Sequence, residues 1–317
     1  MPNIITHTIF ADEVLENLDW NLSSKQLYEI GSNGPDYLFF HGLNPTHLKA
    51  HSNCRTLGSI CHKSNVNDFY LSCLESIRKE QDLDVRQDMI AYVCGHLCHW
   101  ILDATVHPYV FYRTGDCTGQ SSWWHHRFES VLDAIVLKVK REVTIKDYKA
   151  YEICDVSKEL VRAIARIYVP IAKNVFDLDV KPHEIMESLQ DWCAIEKILY
   201  DASGRKLKPL SSVELALGKE NALSGLIVPN EPDDPFDTCN LLHNAWCHPC
   251  DDTKISTASF FDLYEQAKRD ALYVIPLFVD CIDDETKQDD LFSFIGNRNY
   301  DLGISKDLPM KYFKLIY

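Results

Sequence analysis

The stretch HLCHWILDATVHP, residues 96–108, sets three histidines and an aspartate into what otherwise reads as apolar helix. At 100° per residue, His96, His99, Asp103 and His107 fall inside an arc of about 80°. They are interleaved with Leu97, Trp100, Ile101, Leu102 and Val106. A helix this apolar belongs in a core, yet burying a polar group without a partner costs a few kcal/mol, and a bare carboxylate costs more. Whatever fold the chain adopts must satisfy that stripe. His99 and Asp103 stand one helical turn apart, near enough to share one cation. The next predicted helix opens SSWWHHRFESVLD, where His125 and Glu129 repeat the spacing, His126 and Glu129 offer an i,i+3 alternative, and Asp133 lies one turn further. Two antiparallel helices that each carry a histidine–carboxylate pair match the way helical bundles build interior metal sites. Imidazole with carboxylate suits zinc best among common metals, with manganese and ferrous iron also compatible.

Ten of the 13 histidines lie in the first 126 residues. Three places there offer more donors. ITHTIF places His7 near the start, GSNGPDYLFFH places Asp36 behind a Gly34-Pro35 turn that fixes its direction, and LGSICHK places His62 at the end of an apolar run.

Strand signals are rare and 3.6-residue periodicity is common, so the expected class is all-α. Helices are expected over about 9–18, 23–30, 66–81, 85–107, 121–140, 156–176, 182–200 and 257–282. Ser23 or Ser24 suits the cap of a helix stopped by Gly31, Asp155 or Ser157 the start of a later one, and Pro182 a first turn. Ser256 is the expected cap of the last, in which Pro276 predicts a kink. Residues 220–255 read as a long ordered loop. The expected layout is a single all-α domain, 1–317, with a metal-site portion over about 1–140 and a helical C-terminal portion over about 141–317.

The net charge is −15, from 47 acids against 32 bases. That weighs against binding to nucleic-acid backbones or anionic membrane surfaces. It leaves open hydrolysis of a phosphodiester by a site whose metals supply the positive charge. No run reaches the roughly 18 apolar residues of a membrane span. MPNIITHTIF shows neither the basic start nor the apolar core of a signal peptide. The twelve scattered cysteines then read as reduced thiols of a cytoplasmic protein, although a secreted mature form fits too. Cys247 and Cys250, with His248 between, read as loop thiols, with a redox or zinc element as the alternative. Tyr37, Phe39, Phe40, Tyr109, Trp123 and Trp124 flank the candidate ligands, as core or as pocket lining.

In order, His7 in ITH, Asp36 in GPD, His62 in GSICHK, His99-x₃-Asp103 with His107, and His125-x₃-Glu129 resemble the bacterial zinc-dependent phospholipase C family. That family shares a helical fold with single-strand-specific zinc nucleases. The resemblance spans roughly the first 135 residues, and NAWCHPC (244–250) and GNRNYDLG (296–303) resemble later landmarks of its shorter branch. It implies two to three zinc ions: one on Asp36, His62, His99 and Asp103, one on His107, His125 and Glu129, and a third on His7 with Asp103 as bridge. In the family the first mature residue completes the third site; here methionine removal would present the secondary amine of Pro2. The interval from Asp103 to His107 is tighter than in the secreted enzymes. The implied activity is phospholipase C-like hydrolysis, with metal-activated hydroxide attacking phosphorus, Asp36 as assisting base, and a phospholipid or other phosphodiester as substrate. His96 and His126 read either as groups that orient ligands or as plain helix-face residues. A nuclease or nucleotidase on the same metals, and a non-catalytic helical metal-binding protein, are the alternatives.

Overall fold

The computed structural model describes residues 4–18, 20, 22–232 and 234–317. Among these residues eleven α-helices carry the fold, and two short strands form one antiparallel hairpin. The all-α expectation therefore holds. The central element is α5 (Leu83–Thr114), opened by Asp82, whose carboxylate accepts from the Val85 amide at 3.4 Å. Nearly all of its residues from Met89 to Thr114 are buried, as befits a helix that is hydrophobic all round. By length and composition α5 is long and apolar enough to cross a bilayer, but 94% of that apolar window is buried among other helices.

Around α5 pack α1 (Ile4–Leu18), α2 (Lys25–Gly31), α6 (Gln120–Arg141), α7 (Lys158–Asn174) and α10 (Phe260–Asp283). α4 (Val66–Lys79) also meets α5, and further out lie α3 (Asn53–Lys63), α8 (Pro182–Leu199), α9 (Leu207–Ala216) and α11 (Gln288–Ile295). The buried apolar side chains join into one cluster that runs from Ile4 to Tyr300.

Several predicted ends match. The Ser24 hydroxyl caps α2 by accepting from the Leu27 amide at 3.2 Å, Ser157 precedes α7, and α8 begins at Pro182. The cap of α10 is Ser259 rather than Ser256, because only Ser259 has Asp262 three residues on to complete a reciprocal capping box. α10 continues through Pro276. The predicted loop 220–255 instead contains the hairpin β1 (Trp246–His248) and β2 (Asp251–Ser256).

α5 also runs past Pro108, beyond the expected end at 107. Proline has no amide hydrogen, so the carbonyl of Ala104, one turn earlier, loses its helical partner. Gly303, at φ +63°, packs against that carbonyl: a Cβ there would fall 2.1 Å from the Ala104 oxygen. The close approach lays the loop 299–303 along α5 beside His107.

Candidate metal centre

The segment 115–119 reverses the chain, so that α6 folds back along α5 and the two stripes face one another. Asp103 sits between three imidazoles. Its Oδ1 lies 3.1 Å from His7 Nε2 and 3.5 Å from His107 Nε2, and its Oδ2 lies 3.1 Å from His99 Nε2. Asp36 follows Gly34 and Pro35 in a short 3-10 turn, Asp36–Phe40, that points it inward. Its oxygens lie 2.8 Å from His62 Nε2 and 3.6 Å from His99 Nε2. On α6, Glu129 Oε1 lies 3.0 Å from His125 Nε2 and 3.5 Å from His107 Nε2. The donors form three groups, His7–His99–Asp103, Asp36–His62–His99 and His107–His125–Glu129. All eight sequence candidates thus converge. The short interval between Asp103 and His107 is what lets His107 reach both Asp103 and Glu129, joining the α5 and α6 halves.

Hydrogen-bond polarity shows why a cation belongs there. The His62 Nδ1–H donates to the Gly58 carbonyl at 2.7 Å, and the His107 Nδ1–H donates to the Tyr300 carbonyl at 3.0 Å. In a neutral imidazole so fixed, Nε2 carries only a lone pair, and it faces a carboxylate oxygen. Two acceptors in contact repel unless a proton or a metal ion lies between them. Protons can serve at His107, where burial opposes but Asp103, Glu129 and Asp301 hold the imidazolium up to about 9. They do not serve at His99. Burial, only partly offset by Asp103 and Asp36, lowers its pKa; its single Nε2 faces both Asp103 at 3.1 Å and Asp36 at 3.6 Å, and its buried Nδ1 has no hydrogen-bond partner. His7 Nδ1 is orphaned in the same way. Each such group costs about 1–3 kcal/mol. Burial alone would raise the carboxyls, yet the surrounding rings hold Asp103 (beside His107, His99 and His7) and Glu129 (beside His125 and His107) well below the usual range. Anionic oxygens, fixed imidazoles and orphaned nitrogens make a donor set that fits zinc.

Neighbouring residues resolve the remaining candidates. His96 shares the α5 stripe but sits one turn before the cluster. At that level the facing groups are the Tyr70 and Tyr168 hydroxyls, 3.0 and 3.1 Å from its two ring nitrogens, so it is a core residue. His126 lines the cleft above the cluster; burial and the adjacent His125 lower its pKa to about 3. Asp133 is no ligand. It accepts from the Thr6 amide and hydroxyl, at 2.8 and 2.6 Å, and from the Ile5 amide at 3.4 Å, which fixes the start of α1 beside His7. Among the aromatic candidates, Tyr37, Phe40 and Tyr109 are core, whereas Phe39 faces the cleft with its ring 5.4 Å from His62. Cys247 and Cys250 are free thiols of the hairpin, the second donating to the Leu308 carbonyl at 3.4 Å. Met1 and Pro2 lie outside the described residues.

Above the cluster opens a cleft of about 500 Å³, whose wall includes Phe39, Lys63, Asp116, His126, Asp301 and Met310. Tyr300 and Asp301 were not among the sequence candidates. Tyr300 donates its amide to the His62 carbonyl at 2.9 Å and sets its ring, tilted, 5.0 Å from His62 and 5.6 Å from His99. No local spacing links them to the histidines. Only GNRNYDLG, as a landmark, pointed to that loop.

The family model described as zinc dependent phospholipase C matches residues 6–178, just over half of the chain. No curated protein and no solved structure matches it.

Proposed function

Because the chain belongs to the zinc-dependent phospholipase C family, we propose that it is a zinc-dependent phosphodiester hydrolase of the phospholipase C type, with two to three zinc ions held by the eight converging side chains. Asp36, His62, His99 and Asp103 would hold one ion; His107, His125 and Glu129 a second; His7 with Asp103 a third. The observation that carries this reading is His99, whose one buried Nε2 faces two carboxylates, Asp103 at 3.1 Å and Asp36 at 3.6 Å, in a burial that disfavours the imidazolium. When bound, zinc supplies positive charge that brings the pKa of water at the site to about 7 and offsets the charge of a phosphodiester.

The chain's own residues do the rest. Gly58 and Tyr300 fix the tautomers of His62 and His107 through backbone carbonyls, so both rings present Nε2 to the centre. Asp36, at the cleft wall, is the carboxylate proposed to take the proton of the attacking water. Phe39 and Met310 give the cleft an apolar side against which a lipid headgroup can lie. Burial of the donors excludes bulk water from the centre and strengthens its electrostatics.

The test is metal content with activity. Purified protein is expected to carry two to three zinc ions and to hydrolyse a phosphodiester. Chelation should abolish the activity, zinc should restore it, and the melting temperature should fall on the order of 10 °C without metal. His99→Ala and Asp103→Asn should lose zinc and stability together, while Cys247→Ser keeps both. Release of headgroup from phosphatidylcholine, against release of 3′-phosphate from a nucleotide, separates phospholipase from nucleotidase. Undiminished hydrolysis by fully chelated protein, or unchanged zinc in His99→Ala, would contradict the proposal.

A further inference from the structure

We propose that α9 and the turn after it form a docking face for an anionic lipid surface. This rests on the hydrolase reading and deepens it by naming where substrate is met. α9 lies outside the stretch that the family model matches. A helix on a globular protein turns its apolar side inward; α9 does so only in part, with Leu207 and Leu210 half-buried on its inner side. Its one buried residue is Glu214, whose carboxylate accepts from the Leu223 amide at 2.6 Å, from the Ser224 amide at 3.1 Å and from the Ser224 hydroxyl. Other apolar side chains at its C-terminal end and in the turn after it reach solvent: Val213, Leu215, Leu217 and Leu223 are 56%, 64%, 68% and 57% exposed. Scattered exposed leucines are ordinary, but four large exposed apolar side chains within eleven residues mark an interaction surface.

The charge around the patch identifies the partner. In a chain of net charge −15, residues 201–220 carry Arg205, Lys206, Lys208 and Lys219 against three acids, of which Asp201 and Glu214 are buried and Glu220 is exposed. Arg205, Lys208 and Lys219 are exposed. Apolar side chains ringed by cations fit the headgroup boundary of an anionic membrane, where leucines enter the acyl edge and cations meet phosphates. The acidic remainder of the chain would be repelled from such a surface, which orients the patch toward it. Pairing with a second copy about a two-fold axis would set these cations against their own counterparts.

Position also agrees. α9 borders a groove of about 830 Å³ in which Leu207, Lys208 and Ser211 face Gln120 and Trp124 of α6. The same opening turns of α6 present His125 and His126 to the metal cleft. One helix end thus separates the patch from the site.

The test is sedimentation of the zinc-loaded protein, on ice, with vesicles of phosphatidylcholine alone or with a quarter phosphatidylglycerol. Wild type is compared with Leu215→Ser/Leu217→Ser and Lys208→Glu/Lys219→Glu. Wild type should partition to the anionic vesicles about tenfold or more above either double variant, and high salt should weaken it. Turnover of a water-soluble phosphodiester should be equal in all three proteins, since the substituted residues are exposed and away from the cleft. Vesicle binding that depends on the patch, in a protein inactive on every phosphodiester, would uphold the docking face while refuting the hydrolase reading. Equal partitioning of all three, no partitioning of wild type, or a dimer that the leucine substitutions split into monomers would overturn the proposal.

Discussion

Gly34 and His99 meet with no room between them. Gly34 sits at φ +48°, and a Cβ there would fall 2.2 Å from His99 Cδ2. His99 belongs to two of the three donor groups, so displacing its ring disturbs both. Gly34→Ala is therefore expected to lose zinc and to destabilise by about 1–3 kcal/mol, from backbone strain together with the clash. Zinc analysis and denaturant melts check this, and wild-type zinc content in the variant would count against it. At this scale the sequence was most legible where donors share a helix: one-turn spacing announces His99–Asp103 and His125–Glu129 without reference to the fold. It was silent where partners come from afar. Nothing local distinguishes His96 from His99; the tyrosines of α4 and α7 do. Nothing local marks Tyr300, whose carbonyl fixes His107 across 193 residues of chain.

Between elements, Asp133 shows how α6 holds α1. The first amides of a helix lack intrahelical partners, and α1 has no local cap among the described residues. Asp133 supplies one from another helix, and a negative charge also suits a helix N-terminus. Burial raises this carboxyl to about 7, against the lowering effect of the Thr6 hydrogen bonds. Asp133→Ala leaves the Thr6 donors buried and unpaired, an expected loss of about 2–4 kcal/mol. It should also loosen His7, removing about one zinc ion per chain and sparing the ions on α5 and α6. Asp133→Asn keeps an acceptor oxygen and should retain more of both; equal zinc in all three proteins would contradict the anchoring role. The same interaction explains why sequence reading started α1 near residue 9 rather than at Ile4: its cap lies on α6. α3 escaped detection because its buried side, Cys54, Leu57 and Cys61, is mostly cysteine, and its middle holds Gly58. α11 and the β1–β2 hairpin are short and stabilised mainly by what they pack against.

Across the whole molecule, a polar stripe on a buried helix is tolerable only because the fold closes other donors around it. α5 provides the stripe, α6 its counterpart, and α1, the Asp36 turn, α3 and the 299–303 loop enclose them. The helical class was readable from periodicity, which averages over many residues. Net charge averages over the whole surface, and it does not register that Arg205, Lys208 and Lys219 are exposed around α9. The central claim is that the eight donors share zinc. X-ray diffraction from crystals of the zinc-loaded protein, with anomalous signal collected at the zinc edge, tests it most directly. The account predicts peaks at coordination distance, about 2.0–2.1 Å, from Nε2 of His62, His99, His107 and His125. A cluster without a peak, with zinc instead at Cys247 and Cys250, would contradict it.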